Sequence, residues 1–339
     1  MPSKSTESGT PPILTLARIR QAAERIGPFI VRTPLLENPR LNERLQARLL
    51  LKLEALQHTG SFTFRGACNR IEQLPDAQRQ RGVVAWSSGN HGQAVAANCA
   101  RRGIPATIVM PHTAPRLKID ATRAQGAIVR LYDRAIENRE EIGRQISERT
   151  GATIIHPYDD PDIMAGQGTV GLEIMQQCAE RGLRPDAVLA GVGGGGLIAG
   201  AGTAVRALNA ATRLYAVEPA GFDDTARSLA LGERQSNTGG AESLCDALMD
   251  PTPGALTFPL NRALLTDVLV VSDSEVRTAM RACFEHLKIV TEPGGVAPPG
   301  GDPVGQDRRA GHDERGRDQR GECRCRALRP DPARLEKLS

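Results

Sequence analysis

Three stretches of this 339-residue chain carry groups able to hold a small anionic ligand. Gly193, Gly194, Gly195, Gly196 and Leu197 follow the apolar run AVLAGV and open a helical pattern. Successive glycines let backbone N–H groups converge on one anion, and a helix N-terminus adds partial positive charge. A Walker loop would end in Gly-Lys-Ser/Thr, which is absent, and the context is wrong for a dinucleotide fingerprint. A phosphate monoester on a small cofactor fits better, with a flexible turn as the plain alternative. Ser87, Ser88, Gly89, Asn90, His91, Gly92 and Gln93 follow VVAW at another strand-to-helix junction. Small hydroxyl and amide side chains beside exposed N–H groups suit a carboxylate, although an ordinary helix N-cap uses the same residue types. The third stretch, QHTGSFTFRGA over residues 57–67, follows LLLKLE and is by itself a turn with two aromatics.

Those stretches need elements to present them. LLLKLE (49–54), VVAW (83–86), ATIVM (106–110), AIVRLY (127–132), ATIIH (152–156), AVLAGV (187–192) and RLYAVE (213–218) read as strands. Helical stretches fall between several of them, at His91–Arg102, Arg134–Thr150 and Thr169–Arg181, after an opening helix from Leu14 to Ile26 that Gly27 and Pro28 stop. Continuous apolar strands alternating with helices are parallel strands covered on both faces, hence a doubly wound α/β architecture. Ligands in such sheets sit at the carboxyl ends of strands. The loops after VVAW and AVLAGV are therefore where chemistry belongs.

Composition narrows the function classes. Apolar residues make up 40% and charged residues 24%, with a net charge of +4. No run approaches the roughly 18 apolar residues that span a bilayer, and no tripartite signal opens the chain. We expect a cytoplasmic protein with no membrane partner. Seven cysteines without paired spacing suit a reducing compartment. Much of the arginine excess sits near the C-terminus and aromatics are 3%, which disfavours nucleic acid. Residues 1–13 read as a disordered N-terminus, and residues 296–339, with nine arginines and almost no large aliphatics, as a disordered tail.

In this order, the motifs resemble the pyridoxal-phosphate enzymes of the β-family fold (fold type II), in particular threonine/serine dehydratases (ammonia-lyases) and serine racemases. The likeness covers roughly residues 14–295 through RTPLL (32–36), HTGSF-FRGA (58–67), SSGNHGQ (87–93), GGGGL (193–197), VEPAGFDDTARSL (217–229) and EPGG (292–295). SLCDAL (243–248) and PGALTFP (253–259) bring it near a bacterial dehydratase subgroup, some of whose members are linked to hydroxyectoine breakdown. The resemblance implies two doubly wound parallel-sheet domains with a cleft between. Residues 14–79 and 155–295 form the large, cofactor-binding one and residues 80–154 the small one. It implies pyridoxal 5′-phosphate as cofactor, with Gly193–Gly196 and Leu197 at its phosphate, Asn90 at its 3-oxygen and Phe62 beside it. The loop Ser87, Ser88, Gly89, Asn90 and His91 would grip the carboxylate of an amino-acid substrate, with Ser88 as a proton carrier. Glu218, the Phe222 carbonyl and Asp224 would form a site for Mg²⁺ or Ca²⁺, for which an acidic surface turn is the plain alternative. Homodimerisation is common in the family.

Two departures stand against full activity. The family lysine that bonds the cofactor aldehyde and serves as base is replaced by Thr63. A hydroxyl forms no imine and is no base at neutral pH, and loss of a general base alone costs about 10²–10⁴ in rate. Lys52 lies on the preceding strand and Lys118 outside the motif, so neither reads as a substitute. The family also continues past EPGG with a helix, a strand and a Ser-Gly-Gly-Asn turn, none of which is present. Yet residues 313–325, DERGRDQRGECRC, admit codons that, read one base later, give TSVAVISGGNVDA, and residues 298–307 likewise admit LAAILSGKI. The tail thus reads as a frame lost near Ala297. The expected function is a β-elimination of threonine or serine to a 2-oxo acid and ammonia, impaired in this chain. The alternative is a non-catalytic binder of the cofactor or of an amino acid.

Overall fold

The computed structural model describes residues 13–238 and 240–300. The expected disordered N-terminus and the re-read tail lie outside the described residues, apart from Ile13 and residues 296–300. Strands β1 (Leu35–Glu37) and β2 (Leu50–Lys52) form an antiparallel pair with Leu36 opposite Leu51. Strands β3 (Val83–Trp86), β4 (Ala106–Pro111), β5 (Ile128–Tyr132) and β6 (Thr153–Ile154) form a parallel sheet in the order β5-β4-β3-β6. Strands β7 (Ala187–Gly191), β8 (Arg213–Pro219) and β9 (Asp267–Val271) form a second parallel sheet in that order. This is the α/β fold with parallel sheets.

The β3 sheet is covered on both faces at its centre, which is why β3 and β4 read as nearly unbroken apolar runs. Val83 and Ala85 pack with Ile108, Met110 and the helix residues Ala94 and Val95, while Val84 and Trp86 pack with Val109 and Tyr132 on the other side. Strand order reverses around β3, because β4 and β5 lie to one side and β6 to the other. Its carboxyl end is therefore a crevice, and residues 87–93 are the chain that leaves it.

Several readings shift: the helix expected from Arg134 begins at Arg139, and the strand expected at 152–156 shortens to Thr153–Ile154. The expected strand at 49–54 shortens to Leu50–Lys52 and runs antiparallel rather than parallel. β9 falls on DVLVV, where no strand was expected. The helix expected from Thr169 starts at Pro161, where Asp160 accepts from the backbone N–H groups of Asp162 and Ile163. Its glycine-rich first half hides the helical signal but lets it pack closely on the helix Gly196–Leu208: a Cβ on Gly171 would sit 2.4 Å from the Ala201 carbonyl oxygen. The helix Pro293–Gly300 crosses the boundary at which a disordered tail was expected to begin. Val296 and Ala297 are buried with Tyr215, Val217 and Leu269, because both remain apolar where the helix faces the second sheet.

A buried ionic cluster fixes the helix Thr63–Glu72. Arg65, fully buried, donates to Glu54 Oε2 at 2.8 Å and to Glu173 Oε1 at 2.7 Å. Lys52 Nζ donates to Glu173 Oε2 at 2.5 Å, to the Thr33 carbonyl at 2.7 Å and to Gln177 at 2.9 Å. Each buried charge has its partner, as buried charges must.

Candidate active site

The tetraglycine loop leaves β7 and enters the helix Gly196–Leu208 without a side-chain cap. Gly195 takes φ +93°, the left-handed region that an L side chain rarely occupies, and a Cβ there would meet Asn261 Nδ2 at 2.5 Å. The loop's carbonyls are held by two buried side chains of the helix Thr257–Leu264. Thr257 Oγ1 donates to the Gly194 carbonyl at 2.5 Å, and Asn261 Nδ2 to the Gly195 carbonyl at 3.2 Å. Holding the carbonyls that way leaves the N–H side of the loop for an anion. The Gly194 N–H donates to Asp250 Oδ2 at 3.0 Å, and Arg139 Nη2 donates to Asp250 Oδ1 at 2.8 Å. Burial works against the Arg139 charge, but the Asp250 carboxylate outweighs it and holds the guanidinium pKa above its ordinary value.

The two loops meet in one cavity of about 860 Å³. Gly193–Gly196 and Leu197 line it with Ser87, Ser88, Asn90, His91, Phe62 and Thr63. Gly89 is not among the lining residues but lies under the Lys118 stem. Ser87 Oγ accepts from the Gly89 N–H at 3.0 Å. Asn90 Nδ2 donates to Glu292 Oε1 at 2.5 Å. His91 is buried, its pKa pushed down to about 4 by that burial, and its Nε2 faces the Ile155 carbonyl at 3.1 Å. A carbonyl only accepts, so the neutral ring commits its single N–H there and has no side-chain donor left for a carboxylate. Thr63 opens its helix, buried, with its hydroxyl 2.5 Å from Ser61 Oγ.

Residues 26–312 match the family of pyridoxal-phosphate dependent enzymes. The chain belongs to that family. It is 42% identical over 275 residues to an L-threo-3-hydroxyaspartate ammonia-lyase from Pseudomonas sp, covering 81% of this chain and 85% of the relative. Among solved structures, a threonine deaminase from T.th. superposes with a TM-score of 0.80 at 42% identity, covering 84% of this chain and 91% of the other. Maize serine racemase gives 0.80 at 38% identity, covering 84% and 85%. The family's cofactor is pyridoxal 5′-phosphate. The uncapped glycine loop and the amide of Asn90 fit it as a bound ligand, whereas Thr63 does not fit covalent attachment.

Glu218, Phe222 and Asp224 lie away from that cavity, and among the described residues no group of three acidic, histidine or cysteine side chains forms a metal cluster. Glu218, fully buried on β8, accepts from the Thr225 and Ala226 N–H groups at 2.9 and 3.0 Å, capping the helix Asp224–Leu231. Burial and the neighbouring Asp224 push its pKa up to about 8. Asp224 Oδ1 accepts from Asn237 at 2.7 Å while Oδ2 is buried with no partner, and burial pushes this carboxyl up to about 6.

Sequence reading missed what closes the cavity. Lys118 does line it: its stem lies on Gly89, and Nζ is 2.8 Å from Asp246 Oδ2 and 3.7 Å from Glu292 Oε2. Burial pushes the Glu292 carboxyl up against the pull of Lys118 and Asn90. Lys118 and Asp246 are 128 positions apart, so no spacing signal joins them. Asp250 likewise meets Gly194 and Arg139 across 56 and 111 positions.

Proposed function

We propose that this chain carries the site of a threonine/serine dehydratase-type ammonia-lyase, impaired because Thr63 stands where the family's lysine belongs. One observation carries the reading: the glycine loop after β7 and the Ser-Ser-Gly-Asn loop after β3 line a single cavity with Thr63. When bound, the cofactor supplies an electron sink that acidifies the α-carbon of an amino acid joined to it. The chain's own residues supply the rest. N–H groups of Gly193–Gly196 would hold the phosphate, and the Asn90 amide the 3-oxygen. Backbone N–H groups of Ser88, Asn90 and His91 would orient the substrate carboxylate, with His91 contributing backbone only, while the Ser87 and Gly89 N–H groups stay on the Val109 carbonyl and Ser87 Oγ. The Ser88 hydroxyl would carry a proton at one face of the α-carbon. At the Thr63 position no group takes the proton from the other, and Lys52 cannot move there without abandoning Glu173, Gln177 and Thr33.

The buried, unpartnered Oδ2 of Asp224 supports a Mg²⁺ or Ca²⁺ site formed with Glu218 and the Phe222 carbonyl, since a hard cation would satisfy that oxygen and keep both carboxylates ionised. The Thr63 hydroxyl also favours a second reading, a non-catalytic binder of the cofactor or of an amino acid.

The test adds pyridoxal 5′-phosphate to the protein, follows the yellow imine band, then reduces with borohydride and maps the tagged peptide. Threonine, serine and threo-3-hydroxyaspartate are assayed for 2-oxo acid and ammonia. We expect saturable cofactor binding, no reduced lysine adduct, and release of 2-oxo acid at least about 10²-fold below that of a lysine-bearing relative. A stable adduct on Lys118 or Lys52 would overturn the assignment of the defect to Thr63. Slow release from any of the three amino acids favours the impaired lyase, and saturable binding without turnover favours the binder.

A further inference from the structure

The anion cradle already holds an anion from its own chain. Asp250 Oδ2 takes the Gly194 N–H at 3.0 Å, Oδ1 takes Arg139 at 2.8 Å, and Oδ2 lies 2.7 Å from where a Cβ on Gly193 would stand. Asp250 and Arg139 are each one-fifth exposed, so solvent reaches the pair without dissolving it. The backbone around Asp250 is fixed: its carbonyl accepts from Asn237 Nδ2 at 2.9 Å, and Pro251 follows. A turn about the side chain's own bonds would take the carboxylate from the loop while that backbone stays in place.

We propose that Asp250 is a specificity-determining residue of the cradle, an internal carboxylate that a phosphate must displace from Gly194 and Arg139 before it can bind. This inference rests on the reading of Gly193–Gly196 as a phosphate seat. One N–H cannot serve two anions, and a phosphate set beside a carboxylate at contact distance is repelled by it. Binding is therefore an exchange, in which Asp250 leaves and Arg139 passes from the carboxylate to the phosphate. A ligand with the same ring and no phosphate leaves the carboxylate undisturbed. Asp250 thus weakens phosphorylated ligands selectively and leaves their unphosphorylated counterparts nearly untouched.

The experiment measures dissociation constants of pyridoxal 5′-phosphate, pyridoxal and inorganic phosphate, using the fluorescence of the single tryptophan, Trp86, which lines the cavity, and equilibrium dialysis. The proteins are the unmodified chain, Asp250→Ser, the isosteric Asp250→Asn, and Glu233→Gln, an exposed loss of the same charge. We expect both Asp250 variants to bind pyridoxal 5′-phosphate and inorganic phosphate about ten-fold or more tightly than the unmodified chain, with pyridoxal within about two-fold and Glu233→Gln unchanged. Asp250→Asn keeps the side-chain shape, so a tightening there is a charge effect even if Asp250→Ser folds poorly. Unchanged phosphate affinity in cooperatively folding variants overturns the proposal, as does an equal gain for pyridoxal, which would show opening of the cleft rather than anion exchange. A different failure marks the underlying reading: if pyridoxal and its phosphate bind alike in every protein, the loop is no phosphate seat at all.

Discussion

The buried acids Glu218 and Asp224 show how single residues couple this chain to pH. Both carboxyls are raised in the folded protein, to about 8 and about 6, against ordinary values of 4.5 and 3.8. A raised acid holds its proton in the folded state after the unfolded chain has lost it, so the folded state binds more protons between the two values. Stability from these groups is complete below the unfolded values and drains away as pH rises through about 6 and then about 8. The unfolding midpoint of the chain should therefore fall over that window, and Glu218→Gln should flatten the upper part of the fall. With a cation between the two carboxylates the sign reverses. Millimolar Mg²⁺ or Ca²⁺ should raise the melting temperature more near pH 8 than near pH 5, because only ionised acids bind it. A cation effect independent of pH, or absent in both the chain and Glu218→Gln, would remove the metal site. Position 63 is the other residue-scale test. Thr63→Lys places an amine where Ser61 Oγ now faces the hydroxyl at 2.5 Å, and should yield a borohydride-reducible adduct mapping to residue 63.

At the scale of elements, the helix bearing Thr63 is positioned from below by charge rather than by apolar packing alone. Arg65→Met would leave Glu54 without its cation and Glu173 with Lys52 alone, a loss on the order of 3 kcal/mol that a urea midpoint would register. A change below about 1 kcal/mol would mean that the cluster relaxes into water. The helix Pro293–Gly300 is held the other way, by burial of Val296 against the second sheet. Val296→Asp should cost about 3 kcal/mol or more, measured in the same denaturant series. These elements also mark what the sequence could tell. β3 was legible because it is buried along its whole length and its apolar run is unbroken, and β7 and β8 because short apolar runs precede a glycine loop and a turn. β9 was missed because DVLVV opens on an acid and lies directly before the capped helix Asp273–Ala282. The start of Pro161–Ala179 was missed because glycines that serve close helix packing resemble loop residues. In the site, the two loops could be found from strand-to-helix junctions. Lys118 and Asp250 could not, because each meets its partners only through the fold.

For the molecule as a whole, the cavity extends beyond the two loops in a direction that bears on the tail. It is also lined by Leu50, Leu51 and Lys52 of β2 and by Ala187, Val188 and Leu189 of β7. Among the described residues, β2 pairs only with β1 and β7 only with β8, so two strand edges and their apolar side chains border one opening. Strand edges that border an opening invite association, and a cleft that admits water along them does not shield a reacting centre. The cross-cleft contacts Lys118–Asp246, Asn90–Glu292 and Arg139–Asp250 join residues around the β3 sheet to residues around the β7 sheet, but they lie beside the loops and leave β2 and β7 unbridged. Restoring one amine is therefore not expected to restore turnover. Thr63→Lys alone should form the adduct yet release little 2-oxo acid from threonine or serine. Thr63→Lys with the codons after Ala297 re-read one base later should melt higher, bind less of a dye that lights up on apolar surface, and turn over at least about 10²-fold faster. The coding DNA sets a prior condition, since codons incompatible with the shifted reading end the frame-loss account without any protein being made. If they are compatible and Thr63→Lys alone already matches the doubly repaired chain in rate and melting temperature, the edges of β2 and β7 have no part in the proposed impairment.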